Sequence, residues 1–175
     1  MFDSSSILNE IIKTELLFNK NISMSTSITT SSELKNKIFQ NKKINFNIID
    51  GKLNIDKTKL INKKIGSLEF ENSNLNYQNN KIILNTNAIF NIKDSDELFS
   101  LLQTNKRFRK PITNILINLD YDFLSKEINF NNIKIDNQVI NDELLRIIDG
   151  FNNNNVNNWN NSKRLLNNFF EAYEG

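Results

Sequence analysis

The sequence predicts a mainly β protein of the α+β class: an antiparallel meander of about seven strands, curved or groove-like, with short amphipathic helices at its joints and ends. Apolar and polar residues alternate through most of the stretch from residue 22 to residue 135, and this period of two is typical of half-buried strands. Turn-forming pairs of Asn, Asp and Gly interrupt the alternation. Helical spacing occurs only in short stretches. With 175 residues, 38% of them hydrophobic, the chain is long enough to bury a core.

The first predicted elements are a helix and a hairpin. Behind the polar starter "DSSS", apolar residues recur at helical spacing and predict an amphipathic helix from about Ser5 to Leu17. Residues 44–48 then alternate with Asn, and Asp50-Gly51 returns the chain into a second alternating run. Because Asp-Gly favours tight hairpin turns, we expect this turn to set the register of the two strands.

The stretch "IGSLEFENSNLNYQNNKIILNTNAIFNI", Ile65 to Ile92, predicts two further strands with one irregularity. Its apolar residues keep a period of two but change phase near residues 72–74, which predicts a β-bulge there. Asn79-Asn80 is expected to turn the chain, since Asn tolerates the left-handed conformation. The same change of phase recurs between Phe130 and Ile133.

Capping residues predict where the later helices begin. Asp94 with Glu97 three residues on resembles a capping box for a short helix that ends before Pro111. A long strand follows over residues 115–123. Asn141 then precedes a helix that is expected to end at Gly150.

Three segments are expected along the chain. Residues 1–150 form the β-meander domain with its N-terminal helix, residues 151–161 form an Asn-rich linker of low complexity, and residues 162–175 form a C-terminal amphipathic helix. The chain contains 35 Asn, so composition alone accounts for much of this enrichment.

The composition excludes several classes of chemistry. The chain has no His and no Cys, so it lacks the commonest general base and metal ligand, thiolate metal sites, and the Ser-His or Cys-His machinery of nucleophilic catalysis. It has four Gly and no phosphate-binding loop, and a net charge of +2 gives no reason to expect nucleic acid as a partner. We therefore expect no cofactor, no metal and no enzymatic activity. Asp120 and Asp122 share one face of a strand, either as an acid–base or cation-binding pair or, as alternation predicts, as part of an exposed polar face.

One basic cluster stands out in the stretch "NKRFRKP". Its four cations are Lys106, Arg107, Arg109 and Lys110. They are candidates for contact with the headgroups of lipids, whose phosphates attract such clusters. The alternative is a solvated loop between a helix and a strand.

Alternation places a large set of apolar side chains on one face of the predicted sheet. The helices between strands are few and short, so we expect part of this face to remain open and to accept acyl chains. The candidate lipid-facing residues are Leu68, Phe70, Leu75, Tyr77, Ile82, Leu84, Phe90, Ile117, Leu119, Tyr121 and Phe123.

The order of "FNIIDGKLNIDKTKL", the Ile65–Ile92 stretch, the helix before the long strand and "INFNNIKIDN" resembles the C-terminal region of AsmA-like proteins of Gram-negative envelopes, the repeating β-groove family. The resemblance runs from about Lys42 to Asn137. It lies in the rhythm of strand, Asp-Gly turn and strand, and in the place of the short helix.

This resemblance implies a non-enzymatic lipid-handling segment that takes part in phospholipid transport between membranes or in outer-membrane maintenance. It implies a periplasmic location, a tether to the inner membrane through an anchor absent from this chain, and partners among phospholipids and envelope membrane proteins. The rest of a longer chain is accordingly expected to be missing. The alternative is a structural or adhesive β module that mediates protein contacts behind a sealed apolar face.

Overall fold

The computed structural model of the chain describes residues 18–31, 38–78, 81–150, 154–155 and 159–173. The described residues form ten strands, all in one antiparallel sheet, and three α-helices, which confirms the predicted mainly β architecture. The strands are β1 Met24–Ser31, β2 Asn41–Ile49, β3 Lys52–Asn54, β4 Lys59–Asn62, β5 Gly66–Gln78, β6 Lys81–Ile92, β7 Asn114–Asp122, β8 Glu127–Ile135, β9 Gln138–Val139 and β10 Asn154–Asn155. The helices are α1 Ser95–Leu102, α2 Asp142–Asp149 and α3 Trp159–Ala172.

The sheet is a meander in which chain neighbours are usually sheet neighbours. Its order is β1-β2-β3-β5-β6-β7-β8-β10, while β4 pairs with β2 and β5, and β9 pairs with β8. Strands β3 and β4 thus follow each other along a single position between β2 and β5. The expected number of about seven strands differs from ten because β4, β9 and β10 have only two to four residues, too short for alternation to detect.

The predicted Asp50-Gly51 hairpin is confirmed. Ile49 pairs with Lys52, which leaves a two-residue loop, and both loop residues have positive φ, 51° for Asp50 and 71° for Gly51. This is the pattern of a type I′ turn, whose twist matches that of the strands it joins. A Cβ on Gly51 would collide with the backbone carbonyl of Phe18, so the position requires glycine for space as well as for φ.

Both predicted changes of phase are irregularities in the sheet. Pairing between β5 and β6 shifts between Glu71 and Asn74, and the buried Ser73 donates from its amide and its hydroxyl to the Asp56 carboxylate at 2.7 and 2.6 Å. In β8 the extra residue is Asn131, because Asn118 and Leu119 of β7 pair with residues 132 and 130. The predicted Asn79-Asn80 turn lies outside the described residues, although Gln78 and Lys81 on either side of it pair directly.

The helix caps lie at the predicted residues. The Asp94 side chain accepts a hydrogen bond from the amide of Glu97 at 3.1 Å, and the Asn141 side chain accepts one from the amide of Leu144 at 3.0 Å.

Helix α3 begins at Trp159, three residues before the expected start. Asn and Ser are tolerated in the first turn of a helix, so the polar residues before residue 162 do not prevent the helix from starting there. Within the expected linker, β10 pairs with β8. The predicted helix over residues 5–17 lies outside the described residues.

A hydrophobic core fills one end of the apolar face. The three helices pack there against β6, β7 and β8, and the ring of Phe99 in α1 meets that of Phe170 in α3 edge to face, with 5.2 Å between centroids. The buried residues of this core are Ile65, Ile92, Leu98, Phe99, Leu102, Ile112, Ile115, Ile133, Ile135, Ile140, Leu144, Ile148, Phe169 and Phe170. We call this region the helix-covered end.

Candidate functional site

The strand register places the candidate lipid-facing side chains in continuous apolar rows across the sheet. Residues directly opposite each other in antiparallel strands share a face. One such row runs from Leu60 through Leu68, Phe90 and Ile115 to Ile135. A second row, farther along the same strands, runs from Ile48 through Leu53, Leu75 and Leu84 to Tyr121. The sheet therefore has one apolar face that extends from β2 to β8.

Two of the candidates belong to the helix-covered end. Phe90 and Ile117 are partly buried and pack against its core. A cavity of about 70 Å³ remains there, less than half of the roughly 150 Å³ that admits a benzene-sized molecule. Its lining is apolar: Ile115, Ile117, Phe130, Ile133, Ile148, Leu166, Phe169 and Phe170. As it stands, this cavity is too small for an acyl chain.

Three further candidates have almost no solvent contact. Ile82, Leu84 and Leu119 are 2%, 7% and 9% exposed. Alternation assigned them to the apolar face, where they lie, but alternation cannot tell whether a residue of that face is covered. A ligand would reach these side chains only after a rearrangement of the residues around them.

The other candidates keep part of their surface in solvent. Leu68, Phe70, Leu75, Tyr77 and Tyr121 are half-buried. The exposed Phe123 follows β7, and its ring meets that of Tyr121 edge to face at 4.9 Å.

Leu68 and Phe70 continue into apolar residues that the sequence analysis had not selected. Leu60 lies opposite Leu68, and toward the edge of the sheet Ile28 lies opposite Ile44, 54% and 40% exposed. We call these five residues, Ile28, Ile44, Leu60, Leu68 and Phe70, the open strip. None of them belongs to the core of the helix-covered end. Alternation carried the signal for the three missed residues, but β1 is rich in Ser and Thr and β4 has only four residues. Ile44 lies in an alternating run that was recognised in β2 but was not selected as a candidate.

The opposite face is lined with amides and carboxylates that bond across the strands. Side-chain amides of Asn118 and Asn114 donate to Asn87 and Asn91 of β6 at 2.8 and 3.0 Å. The Asp120 carboxylate accepts from two asparagine amides at 2.5 and 3.1 Å.

Asp122 also has structural partners. Its carboxylate accepts the amide of Leu124 at 2.9 Å and lies 3.8 Å from the ammonium of Lys81. No group of three or more acidic residues that could hold a metal ion occurs in the part of the chain described here. These contacts favour the polar-face interpretation of Asp120 and Asp122.

The basic cluster lies between α1 and β7, where Lys106–Phe108 form a short 3-10 helix. The Arg107 guanidinium stacks over the Phe108 ring at 4.4 Å, and Arg109 Nε donates to the carbonyl of Thr104 at 3.1 Å. Because the Thr104 hydroxyl donates in turn to Asn167 of α3 at 2.6 Å, the cluster belongs to the helix-covered end.

Sequence analysis also missed a carboxylate that ties β7 to the turn between β8 and β9. Asp136 accepts from the amide and hydroxyl of Thr113 at 2.9 and 2.6 Å and from the amide of Asn114 at 2.8 Å. Partial burial by itself raises the pKa of Asp136, but these hydrogen bonds lower it on balance. Burial, with the nearby Asp136 charge, raises the pKa of Tyr173. The sequence did contain a signal for this turn, the turn-forming pair Asp136-Asn137, and both residues have positive φ in the structure.

Comparison with known proteins identifies no relative. No protein-family model, no curated protein and no solved structure matches the chain. Among the described residues, no helix is both long enough and apolar enough to cross a membrane.

Proposed function

We propose that the chain is a non-enzymatic lipid-handling segment of an AsmA-like periplasmic protein, tethered to the inner membrane and acting in phospholipid transport between membranes or in outer-membrane maintenance. The observation that carries the proposal is the open strip, where the apolar face continues beyond the helix-covered end. An acyl chain laid along Leu60, Leu68 and Phe70 would remove apolar surface from water on both sides of the contact. Each buried methylene contributes roughly 0.8 kcal/mol before ordering costs.

The open strip suits an elongated apolar ligand better than a compact one. Its members lie on β1, β2, β4 and β5, so they follow the sheet across its strands and do not converge on one point. This face carries some polar side chains, since Lys42 lies opposite Leu60 and Thr30 lies opposite Lys42, but alternation sends the asparagines of β2 and β6 to the other side. This geometry fits acyl chains, which are recognised by shape and apolar area.

A second function, a β module for protein contacts, is favoured by a different observation. Ile82, Leu84 and Leu119 are already buried, so much of the apolar face forms an interior. In that case the exposed members of the open strip would contact another protein and bind no lipid.

A matched pair of variants tests the first proposal. Leu68 and Leu116 are both half-buried leucines in long strands, but Leu116 lies on the opposite face, paired with Ile89 and Lys134. Leu68→Asn is expected to reduce the phospholipid that co-purifies with the chain several-fold, as measured by mass spectrometry, because it removes apolar contact surface. Leu116→Asn is expected to leave the lipid content unchanged. Thermal melting of both variants reports whether they remain folded.

The two functions give different results. Equal lipid content in Leu68→Asn and Leu116→Asn, or wild-type protein free of lipid and inert towards phospholipid vesicles, would contradict lipid handling and favour the protein-contact module. Leu84 and Leu119 are unsuitable for this test because a polar group at either site would be buried, so loss of the fold would mimic loss of binding.

A further inference from the structure

Strand β1 forms one edge of the sheet, and its whole length is exposed. It pairs with β2 over all eight residues, and no other described strand lies beside it. Each of its eight residues is exposed to solvent. Backbone donors and acceptors on the outer side of β1 are therefore available to another strand.

The sequence of β1 lacks the features that normally keep edge strands apart. "MSTSITTS" contains no charge and no proline, and its pairing with β2 is regular from end to end, without a bulge. Natural proteins usually protect an edge of this length with lysine, proline or a bulge. At the other edge, β8 is covered in part by the short strands β9 and β10. The two edges of the sheet thus differ in protection.

Within β1 itself, the apolar side chains lie in solvent on one face. Met24 and Ile28 of β1 are 44% and 54% exposed, and Ile44 lies opposite Ile28. Between Met24 and Ile28, Ser25 and Ser27 lie on the amide-lined face and Thr26 lies on the apolar face. A strand with the same alternation, added along β1, would place its apolar side chains beside Met24 and Ile28 and its polar side chains on the amide-lined face.

We propose that the β1 edge binds a second copy of this chain by antiparallel β1–β1 pairing about a two-fold axis. Such an axis requires residues opposite each other to share a face, and pairing centred on Ser27 or on Ile28 satisfies this for seven of the eight residues of β1. Uncharged Ser, Thr, Ile and Met side chains then lie opposite one another, and these are compatible neighbours. Since β1 carries no charge, two identical edges meet without like-charge repulsion. The apolar faces of the two copies become continuous.

Cysteine cross-linking tests the geometry directly, because the natural chain contains no cysteine. Residues next to the two-fold axis approach their own symmetry mates, with Cβ atoms about 4.5–5.5 Å apart, close to the separation of a disulfide. Ser27→Cys or Ile28→Cys is therefore expected to form a disulfide-linked dimer under mild oxidation several-fold faster than Val139→Cys. Val139 is the matched control because it is 67% exposed on β9, away from β1.

A charge variant tests the same edge without cysteine. Ile28→Lys places two ammonium groups close together across the axis, so the dimer that sedimentation detects for the wild-type chain is expected to dissociate at concentrations where Val139→Lys stays dimeric. A wild-type chain that is monomeric at all concentrations, cross-linking at residues 27 and 28 that is no faster than at residue 139, or a dimer insensitive to Ile28→Lys would overturn the proposal. Lipid content is measured separately, so either outcome leaves the lipid proposal with its own test.

Discussion

The helix-covered end and the open strip are built from the same alternation of apolar and polar residues, yet only one of them is sealed. At the helix-covered end, Phe99 is 1% exposed against the ring of Phe170. In the open strip, Ile28 and Ile44 remain largely in solvent. All three described helices follow β6 along the chain, and they cover the strands nearest to them in sequence. Alternation thus decides which face of a sheet is apolar, and nearby amphipathic helices decide which part of that face is closed.

The largest expected difference between the two regions is the cost of removing an apolar side chain. Phe99→Ala is expected to lower the free energy of unfolding by about 3–5 kcal/mol, because it leaves a cavity beneath α1 and α3. Ile28→Ala is expected to change it by less than about 0.5 kcal/mol. Urea denaturation of both variants provides the measurement. Similar losses in the two would show that the open strip is packed as tightly as the helix-covered end.

Gly51→Val tests whether the two regions unfold together. A β-branched residue at φ 71° is strained, and its Cβ would collide with the Phe18 carbonyl, so a loss of about 2 kcal/mol or more is expected. Gly150→Ala is the control, since Gly150 closes α2 with φ −68° and needs no left-handed backbone. If the sheet is one cooperative unit, urea unfolding of Gly51→Val remains a single transition at lower denaturant. Two separate transitions would show that the strands around the open strip unfold independently.

The smallest expected effect concerns acid stability at the helix-covered end. Because the pKa of Asp136 is lower in the folded chain than in the unfolded chain, its contribution is present above the unfolded value, about 3.9, and is lost as pH falls through the folded value. Asp136→Asn is expected to destabilise the protein by less than about 1 kcal/mol at pH 7, since the carboxylate is largely solvated. This difference in melting temperature from wild type should disappear in strongly acidic buffer. A difference that persists unchanged below pH 3 would contradict the assigned hydrogen bonds.

The sequence predicted those parts of the fold that neighbouring residues determine. Asp94 and Asn141 cap their helices, and Asp50-Gly51 makes its turn, because each acts on backbone groups within three residues. The bulge at Ser73 was visible because an extra residue changes the phase of the whole strand. These signals need no knowledge of the rest of the chain.

Features that depend on distant pairing were not predictable in the same way. Strands β9 and β10 have two residues each and exist only because β8 lies beside them. Leu68 and Leu119 look equivalent in the sequence, since both alternate with polar neighbours, yet one is half-buried and the other 9% exposed. What separates them is tertiary covering. The candidate list therefore identified the face correctly and could not rank its members by access.

The amide rows on the polar face have a consequence for how the protein responds to its surroundings. Hydrogen bonds such as those of Asn118 to Asn87 and Asn114 to Asn91 join neutral groups that neither gain nor lose protons. Dissolved ions screen interactions between exposed charges far more than hydrogen bonds between neutral amides. The chain also has no His, the side chain that ordinarily titrates near neutral pH. These amide-to-amide hydrogen bonds are accordingly insensitive to ionic strength and to acidity across the neutral range.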